Sequence, residues 1–250
     1  ENGRNGKMAT RLGMITPSLN TVLEPVTYRL LRDLPDVTAH FSRVSVTHIS
    51  LDESSGGQFA AEPMIEAARL LMDAKVDSIC WNGTSGGWLG VEKDAALCAA
   101  ISDAVGVPVT SATQAVTGLF REAGVTRFGL VTPYLNDVQQ EIIAKYSAAG
   151  FECVSEAHLG RDDGFAYAAI ADDTWGELIR KVAGGKPQAI TTMCTNISGA
   201  PLAEPIERET GIPLVDSISA SLWAALKLAG ADPARILGWG KMFAGFKAAA

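Results

Sequence analysis

Apolar and polar positions along the chain follow two alternating periods. Short apolar, β-branched-rich runs occur near 11–16, 41–47, 76–81 and 107–110, and again near 127–132, 151–158, 188–193 and 213–216. Runs such as GLVT at 129–132 and AITT at 189–192 carry no charged face, as expected of strands covered on both sides. Between the runs the period changes. Met64, Ile65, Ala68, Leu71 and Met72 recur at three- and four-residue spacing, which sets one apolar stripe on a helix. That spacing predicts helices near 21–33, 60–73 and 91–104, then near 137–149, 173–184, 201–210 and 218–229. Strands alternating with helices predict an α/β fold with parallel sheets flanked by helices.

The pattern occurs twice. LGMITPSLN at 12–20 returns as FGLVTPYLN at 128–136, an offset of 116 residues (20 to 136). GVPVTSATQAV at 106–116 is echoed by GIPLVDSISAS at 211–221, an offset of 105 (106 to 211). Two landmarks in the same order indicate a duplication. The expected architecture is two pseudo-symmetric lobes, each a four-stranded parallel sheet flanked by helices, with an active site in the cleft between them. The first lobe is expected over 9–117 plus a returning C-terminal helix within 217–243, and the second over 118–216, with GLFREAGVT at 118–126 as the crossover. Residues 1–8 read as a tail or cloning remnant outside the fold.

Composition narrows the partners. The 250 residues carry a formal charge of −7, which repels a polyanion and argues against nucleic acid. No apolar run reaches the roughly 18 residues of a membrane span. The first residues, ENGRNGKM, contain no apolar export-signal core. Cys80, Cys98, Cys153 and Cys194 lack CxxC spacing, so reduced thiols and a cytoplasmic location are expected. His40, His48 and His158 fall at unrelated points, and no metal is expected. GTSGG at 83–87 lacks both the phosphate-loop lysine and the dinucleotide glycine spacing, so no nucleotide cofactor is expected.

Ligands of open parallel sheets sit beyond the carboxyl ends of the strands. Four short polar segments follow strands here: Thr16 to Asn20, Asn82 to Gly87, Thr132 to Asn136 and Cys194 to Gly199. Their hydroxyls, amides and backbone N–H groups suit an anion the size of a carboxylate, without a formal positive charge. Cys194 is the cysteine placed at such an end. A thiol near a helix start has its pKa lowered and serves as acid, base or nucleophile; the alternative is a buried structural cysteine. Trp81 and Trp88 flank the third-strand loop, as cleft wall or as core.

PSLNTVLEP at 17–25, GTS at 83–85, TPYLNDV at 132–138, CTNISG at 194–199 and GWGKMF at 238–243 together resemble the aspartate/glutamate racemase superfamily, in the branch of arylmalonate decarboxylases and maleate cis-trans isomerases. The resemblance implies a cofactor-free enzyme acting on a small carboxylic acid. In the two-thiol members, cysteines from both lobes face the substrate. The second corresponds to Cys194; at the first this chain has Gly83, as in the decarboxylases. The resemblance further implies that Cys194 is the catalytic proton donor or nucleophile. Thr84, Ser85 and Tyr134, with the backbone at Cys194 and Thr195, would form a hole for an enediolate. Asn20, with Ser18 nearby, matches an isomerase asparagine that holds a carboxylate. The leading expectation is a decarboxylase-like enzyme in which Cys194 protonates an enediolate. The alternatives are a maleate isomerase or amino-acid racemase, with Cys80 as second thiol, and a non-catalytic carboxylate-binding protein. Substrate selectivity is expected from loops around His48 and 159–167. A homo-oligomer is allowed.

Overall fold

In the computed structural model, residues 9–47, 49, 51 and 57–249 are described. The first sheet is built from β1 (Thr10–Pro17), β2 (Val37–Val44), β3 (Ser78–Trp81) and β4 (Val109–Ser111) in the order β2-β1-β3-β4. Its helices are α1 (Leu23–Leu30), α2 (Ala61–Asp73), the single turn α3 (Gly86–Leu89), α4 (Val91–Val105) and α5 (Ala112–Ala123). The second sheet holds β5 (Arg127–Thr132), β6 (Glu152–His158), β7 (Ala189–Thr192) and β8 (Leu214–Asp216) in the matching order β6-β5-β7-β8. With it go α6 (Asn136–Ala148), α7 (Asp172–Ala183), α8 (Ala203–Thr210) and α9 (Ser217–Leu228). All pairings are parallel. The expected two-lobed α/β fold is present.

The expected helices leave out 106–126, yet α5 lies there. Ser111 Oγ caps it by accepting from Gln114 N–H at 3.0 Å, and Gly124 ends it at φ 76°. α9 returns to the first lobe: it packs on α5 and β3, and Ser78 Oγ donates to the Ala225 carbonyl at 2.8 Å.

Strand register makes the repeat quantitative. β1 pairs Ile15 with Trp81, and β3 pairs Trp81 with Ser111. β5 pairs Val131 with Thr192, and β7 pairs Thr192 with Asp216. Ile15 thus corresponds to Val131, Trp81 to Thr192 and Ser111 to Asp216. The first and last pairs carry the sequence offsets of 116 and 105. The middle pair has an offset of 111 (81 to 192), which carries Gly83 onto Cys194 and Thr84 onto Thr195.

Candidate active site

A buried cavity of about 30 Å³ lies where the carboxyl ends of the two sheets meet. That is room for about one or two waters. Binding sites for small organic ligands usually exceed about 300 Å³, so a ligand of that size requires the walls to part. One side is polar: Asn20, Gly83, Thr84 and Ser85 from the first lobe, and Tyr134, Cys194, Thr195 and Asn196 from the second. The other side is apolar, from Leu19, Val46, Ile49, Phe59, Trp88 and the ring of Tyr167. Among the described residues no charged side chain lines it. A larger groove of about 490 Å³ runs between α4, α5 and α9, on alanines, Cys98 and Trp223, away from these loops.

Cys194 stands two residues past β7 and is 3% exposed. Burial pushes its thiol up to about 11, against the opposing pull of the Asn196 N–H, 3.4 Å from Sγ, and of the Tyr134 hydroxyl. The expectation of a thiol acidified by a helix start is therefore corrected. The next helical turn begins only at Ala200 and α8 only at Ala203, so Cys194 does not stand at the start of the helix that follows it. Loss of water decides the direction.

Tyr134 and Thr84 share a hydrogen bond of 2.7 Å between their hydroxyls, one from each lobe. Burial, then the adjacent Cys194, drives the Tyr134 phenol well above its ordinary range, so it stays protonated. Trp88 and Tyr167 meet its ring edge-on, with centroids 5.4 and 6.0 Å away. Asn20 is bound at every polar position. Its Oδ1 accepts from Val22 N–H at 3.0 Å and Leu23 N–H at 2.9 Å, which fixes the entry to α1. Its Nδ2 donates to the Thr195 carbonyl at 2.9 Å and to Thr195 Oγ1 at 3.0 Å. Thr195 Oγ1 donates in turn to the Asn82 carbonyl at 2.6 Å. Asn196, absent from the expected set, accepts from Thr21 N–H at 2.9 Å and donates to the Gly164 carbonyl at 2.7 Å.

Of the expected residues, Cys194, Asn20, Gly83, Thr84, Ser85, Tyr134 and Thr195 converge on the cavity. Ser18 does not line it; its hydroxyl is exchanged with the Val46 backbone, donating to the carbonyl and accepting from the N–H, both at 3.1 Å. Cys80 is fully buried in the core with Leu12 and Met14, and burial raises its thiol to about 12. It does not line the cavity, so it faces no substrate. His48 lies outside the described residues; Tyr167, from the expected 159–167 loop, is in place. Of the two tryptophans flanking the third-strand loop, Trp88 lines the cavity and Trp81 lies in the core, while Leu19 and Phe59 are wall residues that the sequence did not single out. Among the described residues no three His, Cys, Asp or Glu side chains cluster as metal ligands, and no helix is long and apolar enough to cross a membrane.

A sequence profile of the arylmalonate decarboxylase family matches residues 35–243. The chain belongs to the arylmalonate decarboxylase family. An arylmalonate decarboxylase of Bordetella bronchiseptica is 28% identical over 93% of this chain and 95% of its own length. A maleate isomerase of Geobacillus stearothermophilus is 22% identical over 87% of this chain and 90% of its own. In fold, the chain resembles a Nocardia farcinica maleate cis-trans isomerase, solved as a Cys-to-Ser mutant with a covalently bound succinylcysteine intermediate. That likeness has a TM-score of 0.86, 21% identity, and covers 94% of this chain and 98% of the other. This member of the decarboxylase family is an enzyme whose named relatives include both a lyase and isomerases.

Proposed function

We propose that this enzyme is a cofactor-independent decarboxylase of malonate-type acids, in which Cys194 protonates an enediolate on one face. The observation that carries the reading is a single thiol on the cavity, with Gly83 at the matching position of the other lobe; burial raises that thiol to about 11, which favours its protonated form. Thr84, Ser85 and Tyr134 bind the carboxylate that is retained. The second carboxylate is pressed against Leu19, Val46, Ile49 and Phe59, which offer it no hydrogen bond. Losing CO₂ there exchanges an unsolvated anion for a neutral molecule. The electrons of the broken C–C bond move into the retained carboxylate, giving an enediolate, and the hydroxyl donors hold its growing charge. Cys194 then gives its proton to the α-carbon, and the thiolate recovers a proton from water.

The test is turnover of 2-aryl- and 2-alkylmalonates in D₂O. The expected product is one enantiomer carrying one deuterium at the α-carbon, with Cys194→Ala slower by about 10²-fold or more. An alanine variant with full turnover sinks the thiol role. A second reading, maleate isomerisation through addition of a Cys194 thiolate, is favoured by Asn20 as the resemblance aligns it; conversion of maleate to fumarate would establish it. The raised thiol pKa and the fully bonded Asn20 amide support decarboxylation instead.

A further inference from the structure

We infer that Trp81 determines the one-face specificity of the site, because its indole fills the space in which a side chain at position 83 would begin. The inference rests on the decarboxylase reading for its consequence, not for its geometry. A Cβ built on Gly83 would lie 2.1 Å from Trp81 Cζ2, 2.4 Å from Cε2 and 2.8 Å from Nε1. All three are closer than real Cβ atoms approach a neighbour. Gly83 lies two residues past the last residue of β3, and the ring of Trp81 covers its α-carbon on the side where a Cβ would stand. The ring has little room to yield: Trp81 is wholly buried and packed with Ile15, Val44, Met64 and Ile101. Among the described residues its Nε1 has no hydrogen-bond partner, so packing holds it in place.

The second lobe shows the opposite arrangement. The counterpart of Trp81 is Thr192, small and drawn towards β8 by a 2.8 Å bond from Oγ1 to Asp216 Oδ2. No indole covers the start of the side chain at 194. The pair 81/192 therefore permits the inequality of the pair 83/194. Two-face exchange needs one thiolate to take the α-proton while the facing thiol gives its own to the other side, leaving total charge and proton count unchanged. This chain is barred from that chemistry at two positions, so a thiol introduced at position 83 alone does not open it.

The experiment compares G83A, G83C, W81L, W81L/G83A and W81L/G83C. Thermal unfolding reads the steric claim without substrate. G83A, which adds only a Cβ, lowers Tm in the wild-type background and lowers it much less in the W81L background; W81F serves the same comparison should W81L not fold. Racemisation of enantiopure 2-arylpropionate, followed by chiral chromatography, reads the specificity, since one thiol alone could exchange the α-proton only with retention. W81L/G83C racemises at least about tenfold faster than G83C, a barrier difference of about 1.4 kcal/mol, while W81L alone causes no racemisation. An unchanged Tm for G83A in the wild-type background overturns the inference. So does racemisation by G83C alone as fast as by the double variant, or racemisation by W81L alone. If no malonate is turned over by the wild type, the decarboxylase reading fails, and the unfolding comparison still decides the role of Trp81.

Discussion

The protonation state of Cys194 separates an acid from a nucleophile, and it is measurable. Burial moves the thiol from about 9.0 to about 11. At pH 8 an ordinary thiol with a pKa near 9 is about one-tenth thiolate; at a pKa near 11 the fraction is about one in a thousand, roughly a hundredfold less. A more basic thiolate is intrinsically more nucleophilic, with a slope of about 0.4–0.5 per pKa unit, which returns about tenfold. Alkylation of Cys194 by iodoacetamide at pH 8 is therefore about tenfold slower than that of N-acetylcysteine, before any further slowing by burial. Mass spectrometry of the peptide containing Cys194 gives that rate separately from the other three cysteines. The donor must be protonated, so turnover holds through neutral pH and falls as pH rises through about 11. Labelling as fast as the free thiol, or activity that appears only as a group deprotonates below about pH 8, would refute the proton-donor reasoning and favour a thiolate.

Three further outcomes follow from the same contacts. Tyr134→Phe removes a hydroxyl from the enediolate hole and strands that of Thr84; kcat falls by about 10²–10³-fold and stability by about 1–3 kcal/mol, read by steady-state kinetics and urea unfolding. Buried Asp94 and Asp216 each have carboxyls raised from 3.8 to about 6, chiefly by desolvation. Their folded forms hold protons that the unfolded chain has released, so the stability they contribute is present below about pH 4 and lost as pH rises through about 6, at most about 3 kcal/mol each. Unfolding of D94N and D216N across pH 4–7 should show a less negative slope than the parent, and equal slopes would refute the assignment. Asn20→Ala breaks the tie to Thr195 and the entry to α1, lowering stability by about 2–3 kcal/mol and Tm by several degrees, whereas Asn20→Asp keeps the α1 contacts but sets a buried carboxylate oxygen against the Thr195 carbonyl, so it destabilises as well.

Buried parallel strands are legible because both faces are apolar, and the repeat is legible because its Thr-Pro-x-Leu-Asn loops recur. The helix α5 is the exception: Ala112, Val116, Leu119, Phe120 and Ala123 do recur at helical spacing, but taking GLFREAGVT at 118–126 as a crossover hides them. The strand-end rule located Cys194 and the hydroxyl loops. It could not give the direction of the thiol's pKa, which depends on residues of both lobes that shut water out. The roles of Asn20 and Ser18 were equally hidden. Their bonding partners, Thr195 and Val46, lie 175 and 28 residues away, and no local pattern reports such pairs.

The two cross-lobe hydroxyl pairs differ in the donors they leave free, and that difference bears on the proposed decarboxylation. Thr84 corresponds to Thr195, and each binds a residue of the other lobe's first loop: Tyr134 in one case, Asn20 in the other. On the first side two hydroxyls carry two hydrogens and share one between them, and the other, beside the Cys194 sulfur, can turn to a ligand. On the second side both Asn20 amide hydrogens go to Thr195, and the Thr195 hydroxyl hydrogen goes to the Asn82 carbonyl, so none remains. A carboxylate that must become an enediolate gains most from the side with the spare donor, beside Cys194. An isomerase that grips a dicarboxylate at both ends would first have to break the Asn20–Thr195 tie, and that tie also joins the two lobes. A malonate asks for only one such grip, and its second carboxylate is the group that leaves.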